Sequence, residues 1–306
     1  MTLYMNPKVF SLATTSLAII ALTLVALSMF TGARSSSSRG KYVEKAITLP
    51  TGVTLSYVEH GNSNGIPIIL LHGFTDSWRS FEHVLDQFPD YLHVVAISQR
   101  GHGNSTKTAS TDHAKYFAAD VAAFISKKNL GPSIIVGHSL GGIVTQQFAL
   151  AYPQLTRAIV IVGSEACFYD NEGIPEFVAE INKLNDPIDR TFAEQFQWST
   201  VVQPVDSAVM DEFINESMKV PAKVWKSVGD LLMNTNYSDQ LQKIKVPTLI
   251  LWGDQDATCR LIGQQQLTEG ITNSKLIVHK GTGHALHWED GDRFVKDVVS
   301  FVTSLQ

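Results

Sequence analysis

The sequence predicts an α/β fold with a mostly parallel central sheet, helices on both faces and an inserted helical cap. Three observations carry this. Short apolar runs that read as buried parallel strands recur from about Val43 onward, at residues 68–71, 92–97, 133–136, 157–163, 247–252 and 275–279. One of them, 133–136, leads through Gly137-His138-Ser139-Leu140-Gly141 straight into residues 143–150, which read as a half-buried helix ending before Pro153. Finally, about 80 residues of helix-like periodicity, broken at Pro175, Pro187, Pro204 and Pro221, separate the fourth run from Thr248. That length is too great for a loop and predicts an inserted domain.

Taken from the N-terminus, the chain first presents residues 9–33, which carry no charge, and within them residues 17–29, which are almost wholly apolar. With Lys8 in front and Thr31-Gly32-Ala33 behind, this segment fits a cleaved secretory signal. Its full uncharged length of about 25 residues is also enough to cross a bilayer as an uncleaved anchor. Residues 1–33 are therefore read as a signal peptide or membrane anchor, and the serine-rich stretch 34–42 as a flexible linker. The protein is expected to be exported, periplasmic or secreted, or else held at the membrane by a single N-terminal helix. The core is expected over 43–163 and 244–306, with the cap at 164–243.

Each core strand opens into a loop that carries chemistry. The run 68–71 leads into His72-Gly73-Phe74, and 92–97 leads towards Arg100-Gly101-His102-Gly103-Asn104-Ser105. The run 133–136 leads into the Gly-x-Ser-x-Gly turn, where side chains at Gly137 and Gly141 would collide with the neighbouring strand and helix while Ser139 is presented outward. A serine hydroxyl is a poor nucleophile at neutral pH, so this reading requires a histidine base, a carboxylate to orient it and donors for the oxyanion. The run 247–252 supplies a carboxylate in Gly253-Asp254-Gln255-Asp256, and 275–279 supplies a histidine in Gly281-Thr282-Gly283-His284-Ala285-Leu286-His287. On the residues alone, Asp254 rivals Asp256 as the acid and His287 rivals His284 as the base. His138, His102 and His72 read as structural neighbours, with His72 a candidate to orient the loop that it opens.

The order Ser, Asp, His, each just past a strand, together with the His-Gly-Phe, Arg-Gly-His-Gly and Gly-His segments, resembles the α/β-hydrolase superfamily from about residue 43 to the C-terminus. Within it the chain is most similar to the branch of serine esterases, cofactor-free haloperoxidases and C–C-bond hydrolases. The resemblance implies Ser139 as nucleophile, Asp256 as acid, His284 as base, and the backbone N–H groups of Phe74 and Leu140 as oxyanion donors. The chain departs from the pattern at Ser98, where the arginine loop of the family usually opens with Asp. The implied activity is hydrolysis of a carboxylic ester, or a related acyl bond, of a small and largely apolar substrate through an acyl-enzyme. Two alternatives stay open: a C–C-bond, lactone or perhydrolase-type reaction on the same triad, and a slow-turnover ligand receptor on a hydrolase scaffold.

Composition narrows the rest. At 306 residues, 44% hydrophobic and 17% charged, the chain can bury a large core. A net charge of -5 leaves no basic stripe for nucleic acid. No phosphate-loop, His-Glu-x-x-His or Cys-x-x-Cys motif is present, so neither cofactor nor metal is implied. The two cysteines, Cys167 and Cys259, are expected to be free thiols. The cap region carries Phe168, Tyr169, Phe177, Phe192, Phe196, Trp198, Met210, Phe213, Met218 and Trp225. About a third of these are expected to face a pocket and the rest to pack the cap on the core. The expected partner is a small ester-like molecule, with a membrane added if the N-terminal segment is retained.

Overall fold

The computed structural model describes residues 41–108, 111–171 and 173–305. The segment 1–33 and most of the linker 34–42 lie outside the described residues. Among the described residues, no helix is long and apolar enough to cross a membrane.

Among the described residues, eight strands form one sheet in the order β1-β2-β4-β3-β5-β6-β7-β8. The first two, β1 (Lys45–Thr48) and β2 (Thr54–Gly61), pair antiparallel, and β2 pairs antiparallel with β4 (Leu92–Ser98). Every other pairing is parallel, through β3 (Ile66–Leu71), β5 (Ser133–His138), β6 (Thr156–Val162), β7 (Thr248–Gly253) and β8 (Ser274–His279). The six runs read from sequence are the six parallel-paired strands β3 to β8, each within two residues at either end. They were visible because burial on both faces makes them continuously apolar. The antiparallel pair escaped notice: β1 is mostly exposed and holds no apolar run.

Side chains alternate across the sheet and feed two cores. Ile69, Leu71, Val95, Ile97 and Ile135 pack on one face with α1 (Ala114–Lys128) and α2 (Leu140–Ala151). Ile68, Leu70, Val94, Ala96, Ile134 and Val136 pack on the other with α9 (Gly291–Ser304) and the 3-10 turn Trp78–Phe81. In α9 the spacing Phe294, Val295, Val298, Val302 makes one apolar stripe, and the Asp290 carboxylate accepts from Arg293 N at the helix start.

Between β6 and β7 the chain forms four helices, α3 (Gly173–Ile181), α4 (Arg190–Trp198), α5 (Ser207–Met218) and α6 (Ala222–Asn234). Pro187 and Pro204 lie between these helices and Pro221 is the residue before α6. Pro175 does not break a helix as expected but sits in the first turn of α3, where its missing N–H has no helical acceptor to lose. The remaining helices are α7 (Leu261–Gly270) after β7 and the short α8 (Leu286–Glu289) after β8. Strand register aligns the C-terminal ends of the parallel strands: Leu71 pairs with Gly137, Gly137 with Ile161, Val162 with Leu251 and Gly253 with His279. The loops after β3, β5, β7 and β8 therefore emerge along one edge, the place where open parallel sheets bind ligands.

Candidate active site

The turn from β5 into α2 is as tight as its glycines require. A Cβ on Gly137 would lie 2.0 Å from Gly141 O, and one on Gly141 would lie 2.2 Å from Leu71 O. Ser139, between them, has φ 53° and ψ -113°, a conformation that a side-chain-bearing residue adopts only when its surroundings enforce it. Its backbone is pinned on both sides, by its N–H to Val162 O at 2.9 Å and by Ser164 Oγ donating to its carbonyl at 2.9 Å. The side chain then faces a cavity that His284, Asp76, His138, Phe74 and residues of three of the inserted helices, α3, α4 and α6, also line.

His284 reaches that cavity from the turn after β8. Its Nδ1 donates to Asp256 Oδ2 at 2.9 Å, leaving Nε2 as the other ring nitrogen. The carboxylate is held in turn, because Asp256 Oδ1 accepts from the Thr258 and Cys259 N–H groups, both at 2.8 Å. Burial alone would push the imidazole down, but the charge and hydrogen bond of Asp256, with Asp76 adding to them, hold His284 above its ordinary value. Asp254, the rival acid, points elsewhere: its Oδ1 accepts from Gly281 N at 2.6 Å and so ties the β7 loop to the β8 turn. The rival base, His287, is likewise engaged outside the cavity lining, its Nε2 paired with Ser80 Oγ at 3.0 Å. Burial takes His287 down to about 3, so it is a neutral hydrogen-bonding group.

The loop after β3 lies across from Ser139. His72 Nδ1 donates to Gly73 O at 2.8 Å, and its Nε2 accepts from Gln99 N at 2.9 Å, fixing the turn that presents Phe74. Neither the Phe74 nor the Leu140 amide donates a hydrogen bond among the described residues; for Leu140 this follows from its place at the first position of α2. His138 Nε2 donates to the His284 carbonyl at 3.1 Å, and their rings are 4.8 Å apart. Burial holds His138 and His72 well below the ordinary histidine value. The arginine loop is a brace: Arg100 grips Asp120 through Nε at 2.7 Å and Nη2 at 2.8 Å, and His102 Nδ1 donates to Arg100 O at 2.8 Å.

Asp256, Cys259 and His284 bring possible ligand atoms within 4.8 Å of one another. The set does not suit a metal. Burial raises Cys259 well above the usual thiol value, its Sγ donates to Gly163 O at 3.1 Å, and both Asp256 oxygens already accept hydrogen bonds. Both cysteines are free thiols.

Of the ten apolar residues singled out in the insertion, Phe168, Phe177, Phe192 and Phe196 line the cavity. Trp225 is fully buried and packs edge-on to Phe74 at 5.1 Å. Three polar residues with a place here were missed from the sequence. Asp76 and Gln197 line the cavity, and Glu289 braces the His284 turn by accepting from Gly283 N at 2.9 Å and from Gln203 N at 2.8 Å. Asp76 carried a usable signal, being only two residues past Phe74 in the loop already marked as important. Gln197 carried none.

Comparison with known proteins agrees with this geometry. The profile of the alpha/beta hydrolase fold family matches residues 66–291. Lipase 1 of Psychrobacter immobilis is 26% identical over 86% of this chain and 84% of its own length. The bifunctional esterase/perhydrolase DCH of Acinetobacter calcoaceticus is 25% identical over 84% of this chain and 99% of its own. Among solved structures, the esterase RhEst1 from Rhodococcus sp. ECU1013 superposes with a TM-score of 0.77 at 24% identity, covering 86% of this chain and 99% of that one. With the profile spanning most of the chain and the sheet order and elbow in place, this protein belongs to the alpha/beta hydrolase fold family and is a hydrolase.

Proposed function

We propose that the protein hydrolyses carboxylic esters of small, largely apolar substrates through Ser139, His284 and Asp256. The observation that carries the proposal is the His284–Asp256 hydrogen bond at the wall of the cavity that Ser139 lines. In this reading His284 takes the Ser139 proton as the oxygen attacks the carbonyl carbon, then returns it to the departing alcohol. Asp256 holds the tautomer and stabilises the imidazolium. The N–H groups of Phe74 and Leu140 receive the oxyanion, a contribution of about 3 kcal/mol for one donor. Water repeats the sequence on the acyl-enzyme and releases the acid. The four inserted helices act as a cap whose phenylalanines shape an apolar acyl or alcohol pocket. The lipase and esterase/perhydrolase relatives support ester chemistry as a class.

The test is p-nitrophenyl ester turnover together with fluorophosphonate labelling. Ser139→Ala is expected to lose several orders of magnitude in rate and all labelling while keeping its fold. Label on another serine, or full activity in the alanine variant, refutes the assignment; a wild type that binds but scarcely turns over esters favours a receptor on this scaffold.

A further inference from the structure

Six phenylalanine and tryptophan side chains line the cavity, and among its polar lining residues Asp76 and Gln197 adjoin one another and take no direct part in the proposed proton transfers. Asp76 is 3% exposed, and no lysine or arginine pairs with it among the described residues. Its Oδ1 accepts from Gln197 Nε2 at 2.9 Å. Among the described residues its Oδ2 has only Ser80 Oγ, at a long 3.5 Å, and Ser80 is already engaged by Trp288 Nε1 at 3.1 Å and His287 Nε2 at 3.0 Å. Gln197, on α4, is 1% exposed and spends Nε2 on both Asp76 and Ser217 Oγ, the latter at 2.7 Å. These two bonds set the orientation of the amide and leave Oε1 buried with no partner. A buried carboxyl without a cation and a buried amide oxygen without a donor each destabilise the empty site. They adjoin one another, and both residues line the cavity that Ser139 and His284 share.

We propose that Asp76 and Gln197 form a polar subsite that receives a hydroxyl group of the substrate, so that the enzyme prefers esters bearing a hydroxyl near the scissile bond over their deoxy analogues. The proposal rests on the ester reading above and names a substrate class for it. With Asp76 ionised, both members of the subsite are short of donors, and a hydroxyl supplies one while its own oxygen can still accept. A substrate carboxylate would bring a second acid against Asp76. An ammonium would have to shed its water among the Phe74, Phe177 and Phe196 rings. Sites built to hydrogen-bond a substrate hydroxyl reject the analogue lacking it strongly, because the protein groups are then left unpaired. Here the two residues partly satisfy each other, which points to a preference of about tenfold or more, below the limit such sites reach.

The experiment compares kcat/KM of the full protein on two matched pairs: glycerol 1-monobutyrate against propyl butyrate, and methyl 3-hydroxybutyrate against methyl butyrate. The hydroxylated member of at least one pair is expected to win by about tenfold, and the winning pair tells whether the subsite serves the alcohol or the acyl side. Asp76→Leu and Gln197→Met are expected to bring the ratio close to one, chiefly through KM for the hydroxylated ester. Circular dichroism and fluorophosphonate labelling of Ser139 confirm that the variants are folded. If one variant fails to fold, the other and the wild-type ratio decide. Equal kcat/KM within both pairs in an active wild type overturns the subsite alone, as does an unchanged ratio in a folded variant. Absence of turnover on every ester overturns the subsite together with the ester reading.

Discussion

Replacing Asp76 by Asn should make the protein relatively more stable as the pH rises. Burial pushes this carboxyl from 3.8 up to about 7, against the Gln197 hydrogen bond and the nearby His284, which favour ionisation, and with Glu216 opposing it. A raised carboxyl binds its proton more tightly in the folded state. Between about pH 4 and 7 the folded protein therefore holds more protons than the unfolded chain, and stability falls with rising pH through that window. Above it both states are ionised and the whole penalty stands. Three pH units at 1.36 kcal/mol each set a ceiling of about 4 kcal/mol. Asparagine cannot ionise and escapes this loss, although at low pH it forfeits about 1 kcal/mol through a poorer match to Gln197 Nε2. Urea unfolding of wild type and variant at pH 4.5, 6, 7 and 8 reads the difference directly. The variant should start slightly less stable at pH 4.5 and overtake the wild type by pH 8. Parallel profiles, or a relative gain below about 1 kcal/mol across the series, would refute the assignment of an unpaired buried acid at this position.

The remaining predictions concern the reacting groups. Asp256→Asn should cost about ten-thousandfold in kcat by inverting the His284 tautomer, whereas Asp254→Asn, which keeps an oxygen to accept from Gly281 N and only weakens that tie, should be read mainly in the melting temperature; the opposite ranking would make Asp254 the acid. His284→Ala should abolish turnover while His287→Ala, which removes a partner of Ser80, should leave most of it, as kcat on a p-nitrophenyl ester will show. Because His284 is held above its ordinary 6.5 and must be neutral to accept a proton, the acid limb of kcat/KM should lie above pH 6.5. Asp76→Asn, by removing one of the carboxylates that lift the imidazole, should move that limb to lower pH. Finally, removing residues 1–40 should leave turnover unchanged, since every strand of the sheet and every residue of the proposed site lies from Lys45 onward. N-terminal sequencing of the mature full-length protein then separates a cleaved signal, starting near Arg34, from a retained anchor.

The parts of the fold that the sequence made legible are those where one local rule is strict. A strand buried on both faces must be apolar throughout, so β3 to β8 announce themselves; β1, exposed at the sheet edge, and β2, which mixes Thr54, Ser56, Glu59 and His60 with its apolar residues, follow no such rule. The elbow could be read because only glycine tolerates the 2.0 Å and 2.2 Å approaches at Gly137 and Gly141. What remained hidden depends on contacts between distant segments. Gln197 meets Asp76 across 121 positions and Gln203 meets Glu289 across 86. No pattern within either segment records such a meeting, because it is made only when the insertion folds down on the core.

The histidines show why geometry has to settle what residue type leaves open. His72, His138, His284 and His287 all stand at or just past the C-terminal ends of parallel strands, at the same edge of the sheet, and residue type alone does not tell them apart. Burial acts on all four and by itself disfavours the charged ring. His72 and His138 answer it by hydrogen bonds to backbone carbonyls, and His287 by a hydroxyl, partners that stabilise a neutral ring in one tautomer. Only His284 bonds to a carboxylate, and it alone of the four is held above the ordinary value. A general base must take up a proton and keep it for the length of one step, which a neutral-locked ring cannot do. The carboxylate partner, more than the glycine before it or the position in the turn, is what separates His284 from its neighbours.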